Sequence, residues 1–240
     1  MQTANKTIIE LNCYTEKLNK ELLNLAIPQN PNTKSRAKIT SILNSANETM
    51  TQIAFDFLDQ NPFLGNEAKS LFCKKTDVLV TSIFNLVCEK FHPLTSRSRD
   101  QILSVVAIGG YGRGEMAPYS DIDLLFLSPN RQTGWTKSVV ESVLYILWDL
   151  KFKVGHSSRT ISDCVKLGLD DLTIRTSMLE KRYLCGDKDL FDQSETTLRK
   201  KVFSRKASSF VEGKLSERTE RHLKHANARY MLEPNIKEGK

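Results

Sequence analysis

Two apolar runs placed either side of a glycine-rich turn limit most strongly what this chain can be. The first, Ile102-Leu103-Ser104-Val105-Val106-Ala107-Ile108, is short, β-branched and closed by Gly109-Gly110, which marks a buried strand. The second, Asp121-Ile122-Asp123-Leu124-Leu125-Phe126-Leu127, is a strand that begins with two carboxylates. Between them Gly112 and Gly114 stand in a turn-rich stretch ending Pro118-Tyr119-Ser120.

Strand geometry gives the carboxylates a meaning. Side chains alternate along a strand, so Asp121 and Asp123 share one face while Ile122 and Leu124 point the other way, into a core. Carboxylates this close repel one another, and a cation between them relieves the repulsion. Mg2+ suits the pair, because it takes one or two carboxylates and completes its shell with water and phosphate oxygens. A glycine pair after a buried strand lets backbone approach a phosphate closely, and Arg113 is placed to meet phosphate charge with a fork of donors. Taken singly, each half has a plainer reading: two solvated aspartates at a strand end, and glycines that only make a tight turn. The joint pattern, with Asp121 eleven positions after Gly110, is far more specific than either half.

The rest of the chain frames this unit. Residues 1–94 read as three helical segments, broken at Pro28 and Pro31, at Asn61-Pro62 and at His92-Pro93. Residues 95–165 form the α/β core, with a helix over 135–151 and a third strand from Phe152 to Thr160. Residues 166–240 read as helical, with breaks near Gly168 and Gly186 and a long basic amphipathic stretch from Lys206 to Tyr230. The expected fold class is α+β, a small mixed sheet with helices flanked by helical regions on both sides.

The formal net charge of +7 becomes uninformative once it is located. Residues 199–240 hold 12 Lys and Arg against 5 Asp and Glu, while the other 198 residues hold 23 of each sign. A basic nucleic-acid groove is therefore not expected. No apolar stretch approaches the roughly 18 residues of a membrane span, and the N-terminus has no signal-peptide pattern. Five widely spaced cysteines without a C-x-x-C pair suggest reduced thiols in a cytoplasmic protein.

The string from Ala107 through Gly109-Gly110-Tyr111-Gly112-Arg113-Gly114 and Pro118-Tyr119-Ser120-Asp121-Ile122-Asp123 to Leu125 resembles the DNA polymerase beta-type nucleotidyltransferase superfamily. Within it, the string looks like the bacterial bifunctional uridylyltransferase/uridylyl-removing enzymes that act on the nitrogen-regulatory PII protein. Three stretches agree: Lys153–Thr160, Asp171–Asp187 and Leu232–Lys240. The resemblance implies a polymerase-beta-type core, UTP as donor, PII as acceptor and Mg2+. It further implies Asp121 and Asp123 as catalytic metal ligands, and Gly109, Gly110, Arg113 and Ser120 as nucleotide-binding residues.

The chain departs from the family pattern in three places. The superfamily takes a third carboxylate from a later strand, and Phe152–Thr160 has none. Asp171 is the candidate, with Asp163 behind it, and helix capping competes for both. The chain ends at Lys240 just before the next expected motif, and it has no His-Asp dipeptide for uridylyl removal. The sequence is therefore expected to be an N-terminal fragment. Three functions stay open: uridylyl transfer to PII, adenylyl transfer to another acceptor, and nucleotide or PII binding without turnover. Among the remaining residues, His156 is expected to be structural, His222 and His225 not to bind metal, and Trp135 and Trp148 to pack in the core.

Overall fold

The computed structural model describes residues 2–26, 33–94, 101–204 and 207–224. Three N-terminal helices, α1 (Gln2–Leu23), α2 (Thr33–Gln60) and α3 (Gly65–Leu86), lead through a π-helical turn (Val87–Phe91) to strand β1 (Ser104–Ala107). A four-residue helix α4 (Gly109–Gly112) follows, then β2 (Ile122–Ser128), α5 (Gly134–Asp149), β3 (Val154–Thr160), α6 (Ile161–Asp170) and α7 (Leu172–Leu179). Strand β4 (Arg182–Gly186), α8 (Lys188–Leu198), a second π-helical turn and α9 (Ala207–Lys224) complete the described chain.

The sheet runs β3-β2-β1-β4. β1 is antiparallel to β2 and to β4, and β2 is parallel to β3. The parallel pair requires a crossover, which α5 supplies. Local sequence starts each following helix. Thr133 and Thr136 form a capping box at α5, Thr160 and Asp163 another at α6, and Asp187 accepts from Leu190 N at α8; each cap satisfies amide groups that the first turn leaves unpaired.

Alternation divides the sheet between two cores. Val105, Ala107, Ile122, Leu124 and Phe126 enter the larger one, shared with α1, α2, α3 and α5. Val106, Leu125 and Leu127 enter a smaller one with Cys164, Met178, Leu190 and Phe191, from α6, α7 and α8. The mixed sheet and the α+β class agree with the sequence reading.

Two expectations need correcting. The sequence pattern after α7 reads as helical, but Arg182–Gly186 is the edge strand β4, paired to β1 across a register shift at Val105/Val106. Five residues of mostly intermediate burial give no clear alternation, and the β1 edge decides their state. The break expected near Gly168 falls at Asp171, between α6 and α7; Gly168 itself lies inside α6, where its missing side chain leaves room for Val202 and Met178. Trp135 packs against the larger core and donates to His92 O, whereas Trp148 is 43% exposed, standing edge-on between Tyr145 and His156.

Candidate active site

β1 ends at Ala107, and the chain turns at Gly109 with φ +62°, a conformation that glycine adopts without the steric cost of a Cβ. Ile108 N donates to Asp123 O, and Gly112 N, Arg113 N and Glu115 N donate to Ile108 O, Gly109 O and Gly110 O. The turn is thus tied to the start of β2 and closed on itself.

Ile122 and Leu124 fill the larger core, so Asp123 faces the other side of the sheet, and Asp121, one residue before the strand, shares that side by alternation. Both are half-buried, with Asp121 Oδ1 shielded from solvent. Asp123 is seated between two glycines. A Cβ on Gly109 would lie 3.2 Å from Asp123 Oδ2, and one on Gly155 would lie 2.3 Å from Asp123 Oδ1. Gly155 is the register partner of Asp123 on β3. Sequence reasoning gave it no role, although parallel pairing of the two strands would have pointed to it.

A polar frame fixes the turn from outside. Arg182 of β4 makes a two-pronged bond to Asp77 of α3 (2.8 and 3.0 Å) and donates to Tyr111 O at 3.2 Å. Burial, with Asp77 beside it, holds the Tyr111 phenol well above its ordinary pKa. Burial pushes the neighbouring Cys73 thiol up to about 11, so it is not a nucleophile at neutral pH. Gly112 has the tightest surroundings: its Cβ would lie 1.9 Å from Glu180 O and 2.9 Å from Ala107 O.

Arg113 pairs with Glu115 (3.0 Å) and Glu180 (2.8 Å), and Lys69 also reaches Glu115. Its fork is therefore held by carboxylates and couples the turn to the end of α7. Ser120 Oγ accepts from Ala117 N, closing the loop that delivers Asp121. Next to it Tyr119 is 89% exposed with φ +64°, an uncommon backbone state for a residue other than glycine.

Asp171 is exposed and accepts from Ile174 N as the N-cap of α7. Asp163 is held by the Thr160 amide and hydroxyl, which lower its pKa. Among the described residues no group of three or more His, Cys, Asp or Glu side chains is arranged to hold a metal ion. His156 pairs in register with Leu124 and its ring stands 6.2 Å from Trp148, on the face opposite Asp123. His222 lies on α9, while His225, Leu232–Lys240 and the end of the basic stretch lie outside the described residues.

The Nucleotidyltransferase domain family matches residues 94–184, which contain the glycine turn, both carboxylates and all four strands except the last two residues of β4. The chain carries a nucleotidyltransferase domain. The GlnD PII-uridylyltransferase family matches residues 209–240. Similar curated proteins are named bifunctional uridylyltransferase/uridylyl-removing enzyme. That of Cereibacter sphaeroides is 50% identical over 165 residues, 69% of this chain and 18% of the relative. That of Ruegeria pomeroyi is 43% identical over 209 residues, 87% of this chain and 23% of the relative; that of Novosphingobium aromaticivorans is 41% identical over 207 residues, 86% and 23%. The chain thus spans about a fifth of the length of these relatives. No described helix is long and apolar enough to cross a membrane.

Proposed function

We propose that this domain transfers UMP from UTP to a tyrosine of the PII protein, in a cytoplasmic setting. The observation that carries the reading is the Asp123 carboxylate seated between Gly109 and Gly155 at the mouth of the glycine turn, in a chain whose relatives are named uridylyltransferases.

The residues fit a divalent ion. Hard carboxylate oxygens at a strand end, with two glycines keeping the adjoining space open, match what Mg2+ accepts. Asp121 and Asp123 would hold it; when bound, such ions activate the acceptor hydroxyl and neutralise the leaving pyrophosphate. In the transfer, the tyrosine oxygen bonds to the α-phosphorus, the bond from that phosphorus to the pyrophosphate oxygen breaks, and the hydroxyl proton passes to solvent. Gly109 and Gly110 let the backbone lie against the triphosphate. Ser120 shapes the loop that aims Asp121. Arg113, gripped by Glu115 and Glu180, contributes by fixing the turn to α7. The chain's work is positioning and charge stabilisation.

One observation favours a second reading, nucleotide binding without turnover: Asp171 is engaged as a cap and no third carboxylate joins the pair among the described residues. The two are separated with α-labelled UTP, Mg2+ and PII. Uridylyl transfer predicts label on PII that disappears in Asp123→Asn, together with a higher melting temperature in UTP than in ATP. Stabilisation by UTP without any label would favour the second reading. No stabilisation by either nucleotide would sink both.

A further inference from the structure

On the side of the sheet away from Asp123 lies a cavity of about 570 Å³, walled by α2, α3, the loop that precedes Asp121 and the turn from α5 into β3. Ile122 lines it, whereas Asp123, the next residue along β2, faces the other way. Cavity and carboxylates share one end of the strand and opposite faces.

Lys75 of α3 lines this cavity and is 8% exposed. Its ammonium donates to Asn47 Oδ1 at 2.7 Å and Thr51 Oγ1 at 2.8 Å, and lies 5.8 Å from the Phe152 ring centroid. These partners are all neutral, and among the described residues they leave one of its three N–H donors for a ligand. A buried cation without an anion is costly. Burial accordingly pulls the Lys75 pKa down to about 8. Around it the lining carries two more lysines, Lys151 and Lys153, against a single acidic residue, Glu48. The apolar wall comes from Phe55, Phe72 and Phe152.

A buried cation in the lining of an aromatic-walled cavity, within the roughly 300–1,000 Å³ typical of small-molecule sites, defines its occupant by charge and shape. We propose that this cavity binds a small organic anion, with its carboxylate or phosphate on Lys75 Nζ and its apolar body against the phenylalanines. The site lies on the face of the sheet opposite Asp123, meets the proposed nucleotide residues only at Ser120, and does not depend on the donor being UTP.

Phenyl phosphate and benzoate serve as probes, with neutral benzamide as control. Lysines are acylated competitively with acetic anhydride and quantified residue by residue by peptide mass spectrometry. A saturating anion slows modification of Lys75 at least about fivefold and leaves exposed Lys137 unchanged. Benzamide has no such effect, and Asp123→Asn is protected as well as the parent protein. Protection by one anion alone identifies which headgroup the site takes. Where Lys75 is too shielded to react, melting temperature gives the same test: the anion raises it in the parent chain and not in Lys75→Met. The proposal is overturned if neither anion protects or stabilises, if benzamide acts equally, or if the effect disappears in Asp123→Asn.

Discussion

The position of one carboxylate depends on hydrogens where side chains would otherwise stand. Asp123 fits because Gly109 and Gly155 have no Cβ. Gly155→Ala puts a methyl 2.3 Å from Asp123 Oδ1, and the carboxylate must rotate out of its slot. Divalent-metal affinity should fall by about 10–100-fold, the scale of losing an orienting neighbour, while stability changes by about 1 kcal/mol or less. Mn2+ titration and urea unfolding check the two halves. The carboxylates and the glycine pair were legible in the sequence because their spacing and the alternation rule act locally. Gly155 was not, since its role exists only once β2 and β3 are set in parallel register. Arg113 was legible as a charge near the site, but its engagement by Glu180, 67 positions away, depends on where α7 ends.

At the scale of elements, the glycine turn is fastened to α3, α7 and β4, and it should tolerate substitution poorly wherever that fastening is backbone to backbone. Gly112→Ala drives a methyl into Glu180 O and Ala107 O, atoms that cannot rotate away. It should destabilise the fold by about 2–4 kcal/mol, the range of overpacked or strained core sites, measured by chemical unfolding. Gly134 at the start of α5 is the contrasting case, with nothing within 4 Å of an added methyl and no positive φ. Gly134→Ala should stabilise by about 0.4–1 kcal/mol through reduced chain entropy and better helix propensity. Most elements could be anticipated from apolar period and caps. Strand β4 could not, because it draws its state from the free edge of β1 and from a register shift that no local pattern encodes.

Across the whole molecule, the N-terminal helices and one face of the sheet share a continuous core, so a charge buried in α3 bears on the stability of the entire unit. The lowered pKa of Lys75, about 8 against an ordinary 10.5, means that the folded chain holds fewer protons than the unfolded chain between those values. Its penalty is complete below pH 8 and, relative to a neutral side chain, fades as pH rises toward 10.5. Lys75→Met should therefore exceed the parent chain in stability by about 1–3 kcal/mol at pH 7, with the gap closing on the alkaline side; urea unfolding from neutral pH to about pH 10 checks it. The central claim, that Asp121 and Asp123 form a divalent-metal site serving UTP, is tested most directly by calorimetric titration of Mn2+ in the presence of a non-hydrolysable UTP analogue. The account predicts saturable binding strengthened by the nucleotide, and at least about a 100-fold loss of affinity in Asp123→Asn at unchanged melting temperature. Equal Mn2+ affinity in the parent chain and the folded Asp123→Asn variant would contradict it.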